Sequence, residues 1–149
     1  MFSPYPTDEE LAEDRADAET GMIDVCVIDR AGTGAPVFDE ATGQYVDPPR
    51  VVVYDPGVAP HFGKCKFQTA TVANAAAASV TAGERSANIE GAEIQLPVLN
   101  TGNIAVNDVV TLVSSPTDPS RADRTYTVST RFDKTYATSR RLRLLEVTA

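Results

Sequence analysis

The chain has 149 residues and a mass of 15.9 kDa, which is the length of one domain and enough to build a core without metal or disulfides. With 42% apolar and 23% charged residues it has globular rather than disordered composition, and no run approaches the ~20 apolar residues that span a bilayer. A net charge of −8 disfavours wrapping nucleic acid, which needs Lys and Arg to displace counterions from phosphate.

Charge is unevenly spread. Residues 1–20 hold seven acids and one base, whereas residues 121–149 hold seven bases and three acids. Oppositely charged ends can pair between copies of the chain, although from charge alone the favoured reading is a solvated acidic surface that keeps the protein soluble. The acidic start lacks an apolar run, so no secretory signal is expected.

In chain order, Thr7-Asp8-Glu9-Glu10 predicts a capping box opening a helix that stops near Thr20-Gly21. Leu11 and a few alanines offer it little to bury, so residues 1–21 read as an acidic arm, frayed or held by a partner. Residues 22–149 then read as a single β domain. Met22–Ile28 is a strand. Val37-Phe38 and Gln44–Val46 flank a hairpin turn with Gly43 at positive φ. Gly32-Thr33-Gly34 is a turn rather than a nucleotide loop. Val51–Tyr54 ends at Asp55-Pro56-Gly57, where Gly57 is expected to take positive φ.

Lys64–Thr71 alternates, with Cys65 and Phe67 inward. Glu93–Val98 places Ile94, Leu96 and Val98 inward, and Pro97 suggests an edge or a bulge. Val109–Val113, Thr125–Ser129 and Leu142–Val147 complete the strands. Short strands, frequent turns and no αβ alternation predict a mainly β fold, a small barrel or sandwich with a short N-terminal helix. Residues 72–92 fit no strand and form a long extended loop. It is a hairpin tip, a short surface helix or a segment that orders only in an assembly.

No nucleophile elbow, Walker loop, zinc-binding helix or calcium loop is present, so neither catalysis nor a cofactor is expected. Cys26 and Cys65 belong to no metal-binding pair and read as buried thiols, with a disulfide open if their strands are neighbours. His61, alone in a turn, could serve as a base but has no recognisable nucleophile. Tyr126 and Tyr136 could stack on bases, but core or interface roles suit so acidic a chain better. On Ser139–Leu145, Arg140, Arg141 and Arg143 read either as the charged face of an edge strand or as a row that meets carboxylates of a neighbouring subunit.

Several segments, taken in order, resemble the head-to-tail connector proteins of tailed bacteriophages, and more narrowly the stopper or head-completion proteins of long-tailed phages of actinobacteria. They are Asp24–Ile28, the hairpin Phe38 to Tyr45, Gly63–Gln68, Leu96–Val98, Asn107–Ser115, Arg124–Val128 and Ala137–Arg143. The set spans residues 22–147. The acidic arm departs from the pattern, and Ala122-Asp123 stands where a Leu/Gly-type turn is expected.

The resemblance implies a β-barrel virion protein that forms a homo-oligomeric ring of six or twelve copies below the portal and its adaptor. That ring retains packaged DNA without reading its sequence, and offers a docking face to the tail terminator and tube. No membrane is involved. The resemblance places the long connection in the channel, so Asn74, Ala75, Ala76, Ala77, Ala78, Ser79, Thr81, Gly83 and Arg85 are candidate gating residues. Small side chains there would let several loops crowd an axis. Other readings are an adaptor, a tail terminator, a capsid decoration protein, or a monomeric barrel that binds an oligonucleotide or small ligand.

Overall fold

The strand expected at Met22–Ile28 runs Asp24–Arg30 (β1) and organises the fold in a computed structural model that describes residues 4–69, 80–82, 85–87 and 91–146. Along one edge β1 pairs antiparallel with Val109–Ser114 (β9). Along the other, Asp24 and Val25 pair with Lys64–Thr69 (β5), and Ile28 to Arg30 pair with Val51–Tyr54 (β4). From β5 the ladder passes to Gly91–Leu96 (β8), Arg140–Glu146 (β11), Thr125–Phe132 (β10) and β9. Because β9 returns to β1, six strands close into a barrel, with β4 attached outside the circuit. A bulge between Val128 and Thr130 bends β10.

Two short hairpins stand apart from the barrel. Val37–Asp39 (β2) pairs with Gln44–Val46 (β3), and Gly43 turns between them at φ 71°, as the sequence predicts. Val80–Ala82 (β6) pairs with Arg85–Ala87 (β7), so part of the connection read as strandless is itself a hairpin.

Alternate residues of every barrel strand fill one interior. Cys26, Ile28, Cys65, Ile94, Leu96, Val110, Leu112, Val128, Leu142 and Leu144 are sealed from solvent. Cys26 and Cys65 are free, lie on adjacent strands and share a hydrogen bond. That bond, with burial, holds the Cys65 thiol far above its ordinary range.

The two barrel ends are closed differently. At the near end, where β1 starts and β5 finishes, Phe67 packs on Tyr126 with ring centroids 4.9 Å apart. The Arg121 guanidinium, from the 3-10 turn Pro119–Arg121, covers Phe67 at 5.3 Å. Buried Asp24 accepts from the Phe67 amide and the Ser115 hydroxyl, at 3.1 and 2.9 Å, tying β1 to β5 and to the exit of β9.

At the far end, residues 97–108 cross the barrel mouth, and buried Ile104 and Thr101 plug it. Three arginines clasp this cap. Arg30 donates to Asp108 and the Asn103 carbonyl, and Arg131 to the Gly102 and Ile104 carbonyls. Arg140 donates to Thr101 and the Val98 carbonyl. Arg30 Nε is buried without a partner among the described residues.

The helix Asp8–Thr20 (α1) opens on the expected capping box, stops at Gly21 and buries no residue. It nevertheless does not hang free, because Arg15 donates to the Ala137 carbonyl at 3.0 Å and Glu19 pairs with Lys64 at 3.1 Å. It is too short and polar to cross a membrane, and no other described helix is long and apolar enough to do so.

Three local expectations fail for identifiable reasons. Gly57 does not take positive φ, because the Asp55 carboxylate accepts its amide at 2.8 Å and shapes the turn instead. Pro97 marks neither an edge nor a bulge. β8 lies between β5 and β11 and ends at Leu96, so Pro97 sits buried just past the ladder, where no amide is needed, and Val98 is only half-buried. β11, read as a possible edge strand, lies between β8 and β10.

Candidate assembly surface

The outer face of β8, β11 and β10 is built by the same alternation that fills the core. Along β11, Leu142 and Leu144 point inward, so Arg141 and Arg143 point to solvent. Arg141 Nε lies 3.7 Å from Glu93 on β8. Arg143 stacks over the Phe132 ring at 5.6 Å and has no carboxylate partner among the described residues. Beside them the β10–β11 turn rims a cleft of about 350 Å³, which Lys134 also lines. The Tyr136 and Tyr5 rings lie 5.8 Å apart at that turn.

Arg140 does not belong to this exposed row. It follows the inward phase of Leu142 and stands at the barrel mouth, with its side chain 13% exposed. Its Nε donates to Thr101 Oγ1 at 2.9 Å, and its Nη1 meets Asp133 at 2.8 Å. Asp133 also holds Arg131 at 3.0 Å. Burial and the neighbouring Arg131 pull the Arg140 pKa below its ordinary value, against the opposing pull of Asp133. Arg140→Ala is expected to lower stability by about 2 kcal/mol, because the buried Thr101 hydroxyl and the Val98 carbonyl lose their anchor. Arg141→Ala, at an exposed site, should cost about 0.5 kcal/mol or less. Urea unfolding of the two variants measures the difference.

Of the candidate gating residues, Asn74, Ala75, Ala76, Ala77, Ala78, Ser79 and Gly83 lie outside the described residues. Thr81 lies in β6 opposite Ser86, and Arg85 lies in β7 opposite Ala82. The connection that carries them leaves β5 and returns to β8 at the near end of the barrel. His61 donates from Nε2 to the Leu99 carbonyl at 2.7 Å. Tyr126 is a core residue, and burial raises its pKa. Among the described residues, no three His, Cys, Asp or Glu side chains are grouped to hold a metal.

A second exposed surface escapes sequence reasoning. On the β2–β3 hairpin, Val37, Phe38, Tyr45 and Val46 are all at least half exposed. Phe38 and Tyr45 are direct cross-strand partners, in an edge-to-face contact at 5.3 Å. The available signal was the composition of the two strands, Val-Phe-Asp and Gln-Tyr-Val. Each carries apolar residues on both faces, so neither face is purely a solvent face. At the hairpin base Gly32 fits closely under Pro48 and Pro49, where a Cβ would come within 2.4 Å of the Pro49 carbonyl oxygen.

Comparison with known proteins adds a family. The profile of a family of unknown function, DUF6093, matches residues 14–145. No curated protein matches the chain. Among solved structures, it is similar to the phage-like element PBSX protein xkdH from Bacillus subtilis. The two are 13% identical, the match covers 83% of this chain and 92% of that one, and the TM-score is 0.39.

Proposed function

This chain belongs to DUF6093, a family of unknown function, and on that footing we propose that it is a structural protein of a bacteriophage virion, the head-to-tail stopper of the neck. Copies form a ring of six or twelve below the portal and its adaptor, hold packaged DNA in the head, and present a face to the tail terminator and tube. The observation that carries this reading is the placement of the long connection. In the closed six-strand barrel, β5 ends and β8 begins at the same end, so the connection between these neighbouring strands departs and returns there. In the connector proteins that the sequence resembles, the long connection after the second main strand occupies that position.

The role is physical rather than chemical. The chain's net charge of −8, most of it on residues 1–20, disfavours a grip on phosphate, so duplex DNA passes without being held. No cofactor takes part, and the chain is not an enzyme. Retention rests on geometry: identical head-to-tail contacts close by rotation into a ring around the duct.

Cryo-microscopy of intact particles tests the proposal. Density for this chain as a symmetric ring at the portal vertex is the expected result. Density on the capsid facets, or absence of the chain from the virion, overturns it. Tight, salt-sensitive binding of the purified chain to short single strands would point instead to an oligonucleotide-binding barrel.

A further inference from the structure

We propose that the β2–β3 hairpin of one copy docks into the Phe132–Arg143 cleft of a second copy of this chain, so that copies join head to tail through opposite walls of the barrel. The circuit of strands supplies the geometry. In the order β1, β5, β8, β11, β10, β9, strand β11 lies three places from β1 in either direction. The hairpin leaves from the end of β1, and the cleft sits where β10 passes to β11. Both therefore belong to the far end of the barrel, on opposite walls. A chain cannot fill its own cleft, while a second copy can.

Chemistry favours this occupant. Residues 37–49 hold Asp39, Glu40 and Asp47 and no Lys or Arg. The cleft offers Lys134 and Arg143, with Arg141 shared with Glu93 and with Phe132 as its apolar wall. Its two carboxylates are already engaged, Asp133 by Arg131 and Arg140 and Glu93 by Arg141. Phe38 and Tyr45 bring aromatic surface that their own barrel does not cover, and Arg143 already shows how a guanidinium meets a ring here. A two-stranded hairpin with both faces wet is marginal alone, so ordering against a neighbour suits it. The contact uses different patches on the two partners. Each added copy therefore leaves a free hairpin at one side and a free cleft at the other, as a growing ring requires.

The pairwise contact is read from the chain alone, and only its closure into a ring rests on the neck reading. Sedimentation of the purified full chain at low salt over a wide concentration range tests it. A hairpin-reversed variant (Asp39→Lys with Glu40→Lys) and a cleft-reversed variant (Arg141→Glu with Arg143→Glu) should each self-associate about tenfold or more less tightly, because like charges then face each other. An equimolar mixture of the two should recover association, since both of its contacts are again complementary. A photoreactive phenylalanine analogue replacing Tyr45 should cross-link to residues 132–143 of a second copy, which keeps the test alive if a charge variant misfolds. A chain that remains monomeric and forms no inter-chain cross-link overturns the proposal. So do cross-links to another part of the second copy, or a mixture that fails to associate. None of these results bears on whether the chain stands at the portal vertex, which particle imaging decides separately.

Discussion

Alanine at position 63 is expected to lower the stability of the chain by roughly 3–4 kcal/mol. Gly63 opens the turn into β5 at φ 73°, where a side chain is strained by about 1–2 kcal/mol. Strain is the smaller part. A Cβ there would lie 2.6 Å from the Cys26 carbonyl oxygen and 2.9 Å from Pro56. Both obstacles are held in place, because Cys26 is a central β1 residue whose amide donates to the Gly63 carbonyl at 2.8 Å. To admit the methyl group, β1 and β5 must separate at the start of their pairing. Gly43→Ala is the control: its φ is nearly the same, 71°, yet nothing lies within 4 Å of the added carbon. It should cost about 1–2 kcal/mol, the strain alone. Urea unfolding followed by far-ultraviolet circular dichroism separates the two. Equal losses would show that the β1–β5 approach is not tight.

Asp24→Ala is expected to cost roughly 3–5 kcal/mol. The Asp24 side chain is almost wholly buried and accepts from two donors, the Phe67 amide and the Ser115 hydroxyl, which have no solvent to turn to. Removing the carboxylate leaves both donors unsatisfied at the near end, where β5 runs past the start of β1 and this side chain extends their pairing. Asp24→Asn keeps one acceptor oxygen and should retain about half of the stability that alanine loses. The same unfolding experiment reads both variants, and a loss below about 1 kcal/mol for alanine would mean that water replaces the carboxylate.

Arginines show how far sequence spacing carries a site. Arg140, Arg141 and Arg143 form one basic cluster in the chain, and alternation alone separates Arg140 from the other two. Whether an inward arginine at a strand's first residue is an error or an anchor depends on what closes the barrel mouth. Thr101 and Asp133 decide it, from 39 and 7 residues away. Likewise, the spacing of Cys26 and Cys65 left their proximity open, and the β1–β5 register brings them together. The hairpin at Val37–Val46 was legible as a hairpin from Gly43 and its flanking strands. Its exposure was not, since apolar side chains on a two-stranded element read as core until a sheet is found that covers them.

By itself the sequence determined what local physics controls: the capping box of α1, the strands that fill the interior, the hairpin turn at Gly43, and the mainly β class. Each follows from side-chain period, backbone preference or a hydrogen bond within a few residues. Only the tertiary structure decided that β9 returns to β1 to close a barrel, that β11 is internal, and that the aromatic hairpin and the basic cleft share one end on opposite walls. Those outcomes depend on pairings between strands as far apart as Val25 and Ser114, selected by which interior packs without voids, and no local pattern encodes that choice.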